Sequence, residues 1–399
     1  MIRWNRQVIA PPALQGHGSA ERKVTWSELF YDLTFVVAVN QLATTFSEDL
    51  SWRGFGSFVL LFLPVWWAWV GQTFYLTRFD SDDLVHQALT AIKMFFVVCM
   101  SFSIPQALGA QSHVFVLSYA AIRTLLVVDY LRVSRHVPQA RVLAQRYAAG
   151  FGLAVMIWLA SLAVPISVRP LFWLLAIALD FAVPFTAGRY ATEIPPRTHH
   201  LPERFGLFTI IVIGESVAAN VIALQNTKFS VSTLITAALG WLIIYFVWHG
   251  YFNGVRGAES RSIGDRSQAR AFRAWMYLHV SLTIGVVTSA ILIKKAIQFP
   301  TEAVGPVIGW LTVLSGFLGM HSLYLIFLTT PQRTCTGLIR KLLRPHGWVN
   351  AIYLVSGLWV SGWSRQALLI WTLLAWGSHF VLTLREEVAQ LSADHHSEI

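Results

Sequence analysis

The chain has 399 residues, of which 55% are hydrophobic and only 13% charged, and it carries a formal net charge of +10. A soluble domain holds about 25% charged residues, so a soluble enzyme, a disordered regulator and a nucleic-acid-binding domain all fit poorly. The 17 Trp and 26 Phe and a mean hydropathy of +0.55 point to an all-α polytopic membrane protein.

In chain order, residues 1–25 read as a polar, basic cytoplasmic segment without an apolar core, so no cleavable signal peptide is expected. A membrane helix needs about 20 apolar residues to cross a ~30 Å hydrocarbon core. Twelve stretches qualify: 26–47, 54–76, 84–106, 112–131, 147–165, 170–188, 204–224, 231–253, 274–293, 305–328, 348–362 and 366–384. The eleventh is the shortest of these. Residues 385–399 remain as a cytoplasmic tail. Cys99 falls in an apolar run and Cys335 in a basic loop, so both are expected as free thiols.

Cation placement sets the orientation. With the N-terminus inside, 22 of the 30 Lys and Arg lie on the cytoplasmic side and six outside, leaving Lys93 and Arg123 within helices. The expected topology is N-in and C-in, and the net charge is mostly positive-inside bias rather than a footprint for nucleic acid. The expected partners are the lipid bilayer and a small solute or ion, and a homo-oligomer is compatible with the sequence.

The chain also aligns with itself. Glu28-Leu29-Phe30-Tyr31-Asp32-Leu33-Thr34-Phe35 matches Glu203-Arg204-Phe205-Gly206-Leu207-Phe208-Thr209-Ile210, and the same offset sets Asn40 against Glu215. Leu174-Leu175-Ala176 through Asp180-Phe181 matches Leu373-Leu374-Ala375 through His379-Phe380. The reading is a parallel 6+6 repeat about an axis along the membrane normal. Its halves are 26–188 and 203–384, joined by a cytoplasmic linker at 189–202.

The motif residues carry a resemblance. Glu28-Leu29-Phe30-Tyr31-Asp32-Leu33, then Thr77-Arg78-Phe79-Asp80, then Glu203-Arg204-Phe205-Gly206-Leu207-Phe208 and Gly214-Glu215-Ser216 resemble the bacterial low temperature requirement protein A family along nearly the whole chain. The resemblance implies an integral bacterial inner-membrane protein named for a cold-growth phenotype, with no settled activity. Family members often have Thr at the position of Asn40 and Gln at that of Lys93, which weakens those two positions as guides to a shared mechanism.

Ionisable side chains at mid-membrane depth cost about 2.5–3.5 kcal/mol each on insertion scales. The candidates are Lys93, Arg123, Asp180, Glu215, His249, His279, His321 and His379. By repeat and depth, Asp180 corresponds to His379, Lys93 to His279 and Arg123 to His321, so polar groups from both halves are expected to converge. The functional reading is an ion or substrate pathway, with Glu215 and Asp180 exchanging protons; the structural one is interhelical fastening, at about 0.6 kcal/mol per contact. Thr25-Trp26-Ser27-Glu28 fits a capping box, and Glu203 after Pro202 suits a helix start, so both acids are expected to be structural. Asp32, one turn inside Glu28, is expected to line a cytoplasmic vestibule. Asp80, Asp82 and Asp83 are expected to cap the third helix rather than bind a cation. Trp66, Trp67 and Trp69 are expected to pack.

No phosphate-cradling loop, nucleophile elbow or His-Glu-x-x-His motif is present. The leading expectation is therefore a proton- or ion-coupled secondary carrier without cofactor or metal, not an enzyme. The alternatives are a membrane sensor or scaffold and, with less support, a metal or haem enzyme on the scattered histidines.

Overall fold

A computed structural model describes residues 11–14, 25–80, 83–187, 190–196, 200–254, 266–329 and 345–397. Cys335, Asp82 and His199 fall outside these residues, as do the side chains of Asp80 and His200.

Among the described residues the regular structure is helical apart from one strap, in which β1 (Ala13–Leu14) pairs antiparallel with β2 (Phe79–Asp80), and an isolated bridge between Ala303 and Ser364. The long helices are α1 (Trp26–Glu48), α2 (Trp52–Leu76), α3 (Leu84–Ser103), α4 (Ser112–His136), α5 (Arg141–Ala160) and α6 (Arg169–Thr186). A single turn, α7 (Tyr190–Glu193), precedes α8 (His200–Gln225), α9 (Val231–Gly254), α10 (Arg266–Gln298), α11 (Pro306–Leu328), α12 (Pro345–Val355) and α13 (Arg365–Ser397). Among the described residues eleven helices are long and apolar enough to cross a membrane. The protein is a multi-pass, all-α membrane protein.

The segment expected at 348–362 is the one that falls short. It forms the 11-residue α12 followed by a 3₁₀ turn at Ser356–Leu358. Its partner is α11, and the chain that leaves Val304 along α11 is back beside it at Trp363. There Val304 N–H donates to the Trp363 carbonyl (2.8 Å) and Gly362 N–H to the Val304 carbonyl (2.9 Å). The short helix is thus the return arm of a closed hairpin.

Local chemistry sets the helix starts. Thr25 caps α1, its hydroxyl accepting from Glu28 N–H at 3.3 Å, and Asp83 caps α3 by accepting from His86 N–H at 3.0 Å. Both expected caps are present, Asp83 being the acid of the Asp80–Asp83 group that serves. Pro306 opens α11 behind Gly305, where a missing N–H costs nothing.

The chain divides into two compact units. The first holds α1 to α7 and the start of α8 as far as Phe208; the second runs from Thr209 and holds the rest of α8, α9, most of α10, and α11 to α13. In the first, α4 packs on α3 and α5, and α5 on α6. In the second, α10 and α11 meet through small residues, a common membrane interface. A Cβ at Gly285 would stand 2.8 Å from the backbone of Gly319 and Ser315. Hydroxyl pairs Ser281–Ser322 (2.6 Å) and Ser289–Ser315 (3.0 Å) flank this approach.

Candidate functional site

Among the described residues, the interior of the first unit holds three ion pairs between helices in which both side chains are at most 1% exposed. Arg204 Nη2 donates to Asp32 Oδ1 at 2.5 Å, joining α8 to α1, and Trp69 Nε1 donates to the same oxygen at 2.8 Å. Glu28 lies 3.7 Å from the Arg204 guanidinium. Asp32 is 1% exposed, so it is clamped inside the bundle rather than set on a vestibule surface. The motif acids and Arg204 therefore meet, whereas Glu203 presents an exposed side chain in the first turn of α8.

The second pair joins α4 to α6. Arg123 Nη2 donates to Asp180 Oδ1 at 2.6 Å, and Tyr119 OH donates to Asp180 Oδ2 at 2.7 Å. The guanidinium lies 4.1 Å from the Phe151 ring centroid, a cation–π contact. All three polar side chains are fully buried.

The third pair was only half legible. Lys93 Nζ on α3 bridges Asp129 Oδ2 on α4 and Gln72 Oε1 on α2, the latter at 2.6 Å. Asp129 escaped the sequence reading because it stood two residues from the expected end of its helix; α4 runs on to His136, which places Asp129 well inside. The other carboxylate oxygen, Asp129 Oδ1, is buried without a hydrogen-bond partner, and so is Nδ1 of His86, 3.8 Å away. His86 sits in the first turn of α3, beside the cap formed by Asp83, whose carboxylate also holds Arg132 at 2.8 Å. The side chain of Arg132 is 16% exposed. A file of titratable groups thus runs inward from Asp83 and Arg132 through His86 and Asp129 to Lys93.

One helix touches all three pairs. From α2, Trp69 reaches Asp32 and Gln72 reaches Lys93, while Gly71 lies against Arg123. A Cβ at Gly71 would stand 2.6 Å from Arg123 Nη1 and 2.8 Å from Leu126 Cδ2. Gly71→Val is accordingly expected to lower stability by about 1–3 kcal/mol through overpacking, read as a lower melting temperature of the purified protein. Trp67 stacks on Phe181 (4.2 Å), and Trp69 lies 4.4 Å from Phe208. Packing accounts for these indoles, except that Trp69 adds a hydrogen bond to a buried carboxylate. Three acids and three bases make the set formally neutral. The pairs form one neighbourhood, since the three α2 residues that touch them, Trp69, Gly71 and Gln72, lie within four positions of one another.

Arg78 donates from Nε to the Ile194 carbonyl at 3.2 Å and lies between the rings of Phe74 and Tyr147. It ties the end of α2 to the segment before α8. Asn40, on α1, is exposed, and Glu215, on α8 in the second unit, is half-buried.

In the second unit the histidines behave differently. His279 uses both nitrogens, with Nδ1 at 2.7 Å from the Trp275 carbonyl and Nε2 at 3.1 Å from Tyr251 OH. His321 and His379, the expected counterparts of Arg123 and Asp180, are linked through Asn350 on α12. Asn350 Nδ2 lies 3.3 Å from His321 Nδ1, and Asn350 Oδ1 lies 2.8 Å from His379 Nε2. His346 continues the chain, its Nδ1 2.9 Å from Nδ1 of His379. Among the described residues no group of three or more His, Cys, Asp or Glu is arranged to hold a metal ion.

Residues 23–390 match the model of the family described as bacterial low temperature requirement A protein (LtrA). The chain belongs to the LtrA family. The match spans the motif acids, Arg204, all three ion pairs and the histidine chain. A curated relative, "Uncharacterized protein RA0937" from Rhizobium meliloti, is 24% identical over 296 residues, 70% of each chain. That name assigns no activity to the relative.

Proposed function

We propose that this LtrA protein is a proton-coupled secondary transporter of a small solute in the bacterial inner membrane, with its coupling charges in the first unit. The observation that carries this reading is the inward file ending at the Lys93–Asp129 pair. Buried charge is a poor fastener: a buried ion pair is often replaceable by apolar side chains at no loss of stability. Charges retained in a membrane interior commonly mark proton or ion pathways.

The orphaned His86 Nδ1 and Asp129 Oδ1, 3.8 Å apart, supply the entry step, since a small rotation of either side chain or one bridging water closes the gap. A proton arriving on Asp129 removes its charge. Lys93 then loses the opposite charge beside its ammonium, although the neutral carboxyl and the Gln72 carbonyl can still accept its N–H groups, and the electrostatic tie between α3 and α4 is lost. That loss biases the two helices toward another arrangement, which is how a proton is exchanged for conformational work. With the N-terminus in the cytoplasm, the Asp83–Arg132 end opens inward. Asp180 and Asp32 have their own Arg partners, and each also accepts from a second side chain, Tyr119 and Trp69 respectively.

A pH step applied to proteoliposomes on a solid-supported membrane tests the reading. The wild-type protein is expected to give a transient charge displacement, and Asp129→Asn to reduce it at least tenfold at an unchanged gel-filtration profile. A displacement of wild-type size in Asp129→Asn would count against the relay. His86→Phe, which keeps the ring and removes its nitrogens, is expected to slow the transient rather than abolish it.

A further inference from the structure

The exposed face of α9 carries a stripe that does not suit lipid. Leu234, Ala238, Trp241, Tyr245 and Trp248 are all exposed there, at steps of four and three residues. The other face, with Thr236, Ile243, Ile244 and Val247, is buried, and α9 packs on α11 and α13. Trp241 stacks on Tyr245 at 5.7 Å and Tyr245 on Trp248 at 5.9 Å between ring centroids. The three rings thus form a ladder along the outside of the helix. At ~1.5 Å per residue, Trp241 and Tyr245 lie within about 4 Å of the midpoint of this 24-residue span.

Tryptophan and tyrosine favour the membrane–water interfaces, where the ring lies in oil and the polar atom in water. Among the described residues the exposed tryptophans outside α9 follow that rule. Trp26 and Trp52 open α1 and α2, Trp348 lies in the first turn of α12, and Trp359 follows the 3₁₀ turn at its end. Trp241, 53% exposed, and Tyr245, 38% exposed, break it. Neither Trp241 Nε1 nor Tyr245 OH has a hydrogen-bond partner among the described residues, and hydrocarbon tails offer no acceptor. A second protein surface supplies what lipid lacks, and the stripe itself fits that role. Steps of four and three residues make the seam along which two helices face each other. Copies of one chain insert with one topology, so their two-fold axis runs along the membrane normal and sets α9 parallel to its counterpart. Residues at that axis meet their own equivalents. An indole only donates, whereas a phenol both donates and accepts. Tyr245 can therefore pair with Tyr245 of the second copy and keep a lone pair for an indole N–H.

We propose that this stripe on α9 is the contact surface of a homodimer, with Tyr245 of each copy at the two-fold axis. The surface is independent of the relay in the first unit. The test is oxidative cross-linking of the full-length protein in liposomes at falling protein-to-lipid ratio, in a background with Cys99→Ala and Cys335→Ala. Ala238→Cys, on the stripe, is expected to give a disulfide-linked dimer whose yield holds as lipid is added. Leu153→Cys, also exposed but on α5, is expected to give at least tenfold less. Adding Trp241→Phe and Tyr245→Phe to Ala238→Cys keeps the rings and deletes both polar atoms. The yield is then expected to fall at least tenfold with an unchanged melting temperature. No cross-link through Ala238→Cys, equal yields at the two positions, or a full yield in the phenylalanine variant would overturn the proposal.

Discussion

Asp180→Leu is expected to cost about 3–5 kcal/mol of stability, the range for a buried ion pair that loses one partner. Arg123 would keep its full charge at zero exposure, beside the Phe151 ring at 4.1 Å. Tyr119 would lose its acceptor in the same step. Adding Arg123→Met removes the stranded charge, and most of the lost stability is expected to return because two apolar side chains of similar volume then face each other. The measurement is the melting temperature of the purified protein, followed by gel filtration after heating. A single variant that melts like the wild type would mean that this pair does not hold α4 to α6.

Equivalent surgery on the Lys93–Asp129 pair has a similar expected effect on stability and a separate one on charge movement. Asp129→Leu alone strands Lys93 beside Gln72 and is expected to lose a similar 3–5 kcal/mol. Lys93→Met combined with Asp129→Leu is expected to melt within about 1 kcal/mol of the wild type, since volume-conserving apolar replacements are tolerated in packed interiors. In a fastening role the pair would be dispensable once its volume is replaced. In a relay role its removal leaves a folded protein that has lost its proton acceptor. The double variant therefore separates two readings that single substitutions confound.

Much of this architecture was legible in the sequence. Apolar length located the spanning helices because every one must satisfy its backbone internally in lipid, and the Thr25 and Asp83 caps followed from side-chain chemistry alone. The short α12 was visible only as a weak apolar run, since its role as the return arm of a hairpin depends on the pairing of Val304 with Trp363. Lys93, Arg123 and Asp180 were marked by their depth, but their partners were not all visible. Asp129 sat near an expected boundary that lies further along the chain, and Gln72 and Trp69 carry no charge to draw attention. Depth likewise singled out Glu215, and the repeat offset Asn40, yet Glu215 is only half-buried and Asn40 is exposed. His346 lay just outside an expected span, so the histidine chain could not be assembled from four scattered residues.

The most direct test of the relay is the pH-step charge displacement of the Lys93→Met and Asp129→Leu double variant, measured beside its melting curve. The account predicts a protein that melts like the wild type and displaces no charge. A double variant that melts like the wild type and displaces charge in full would contradict it.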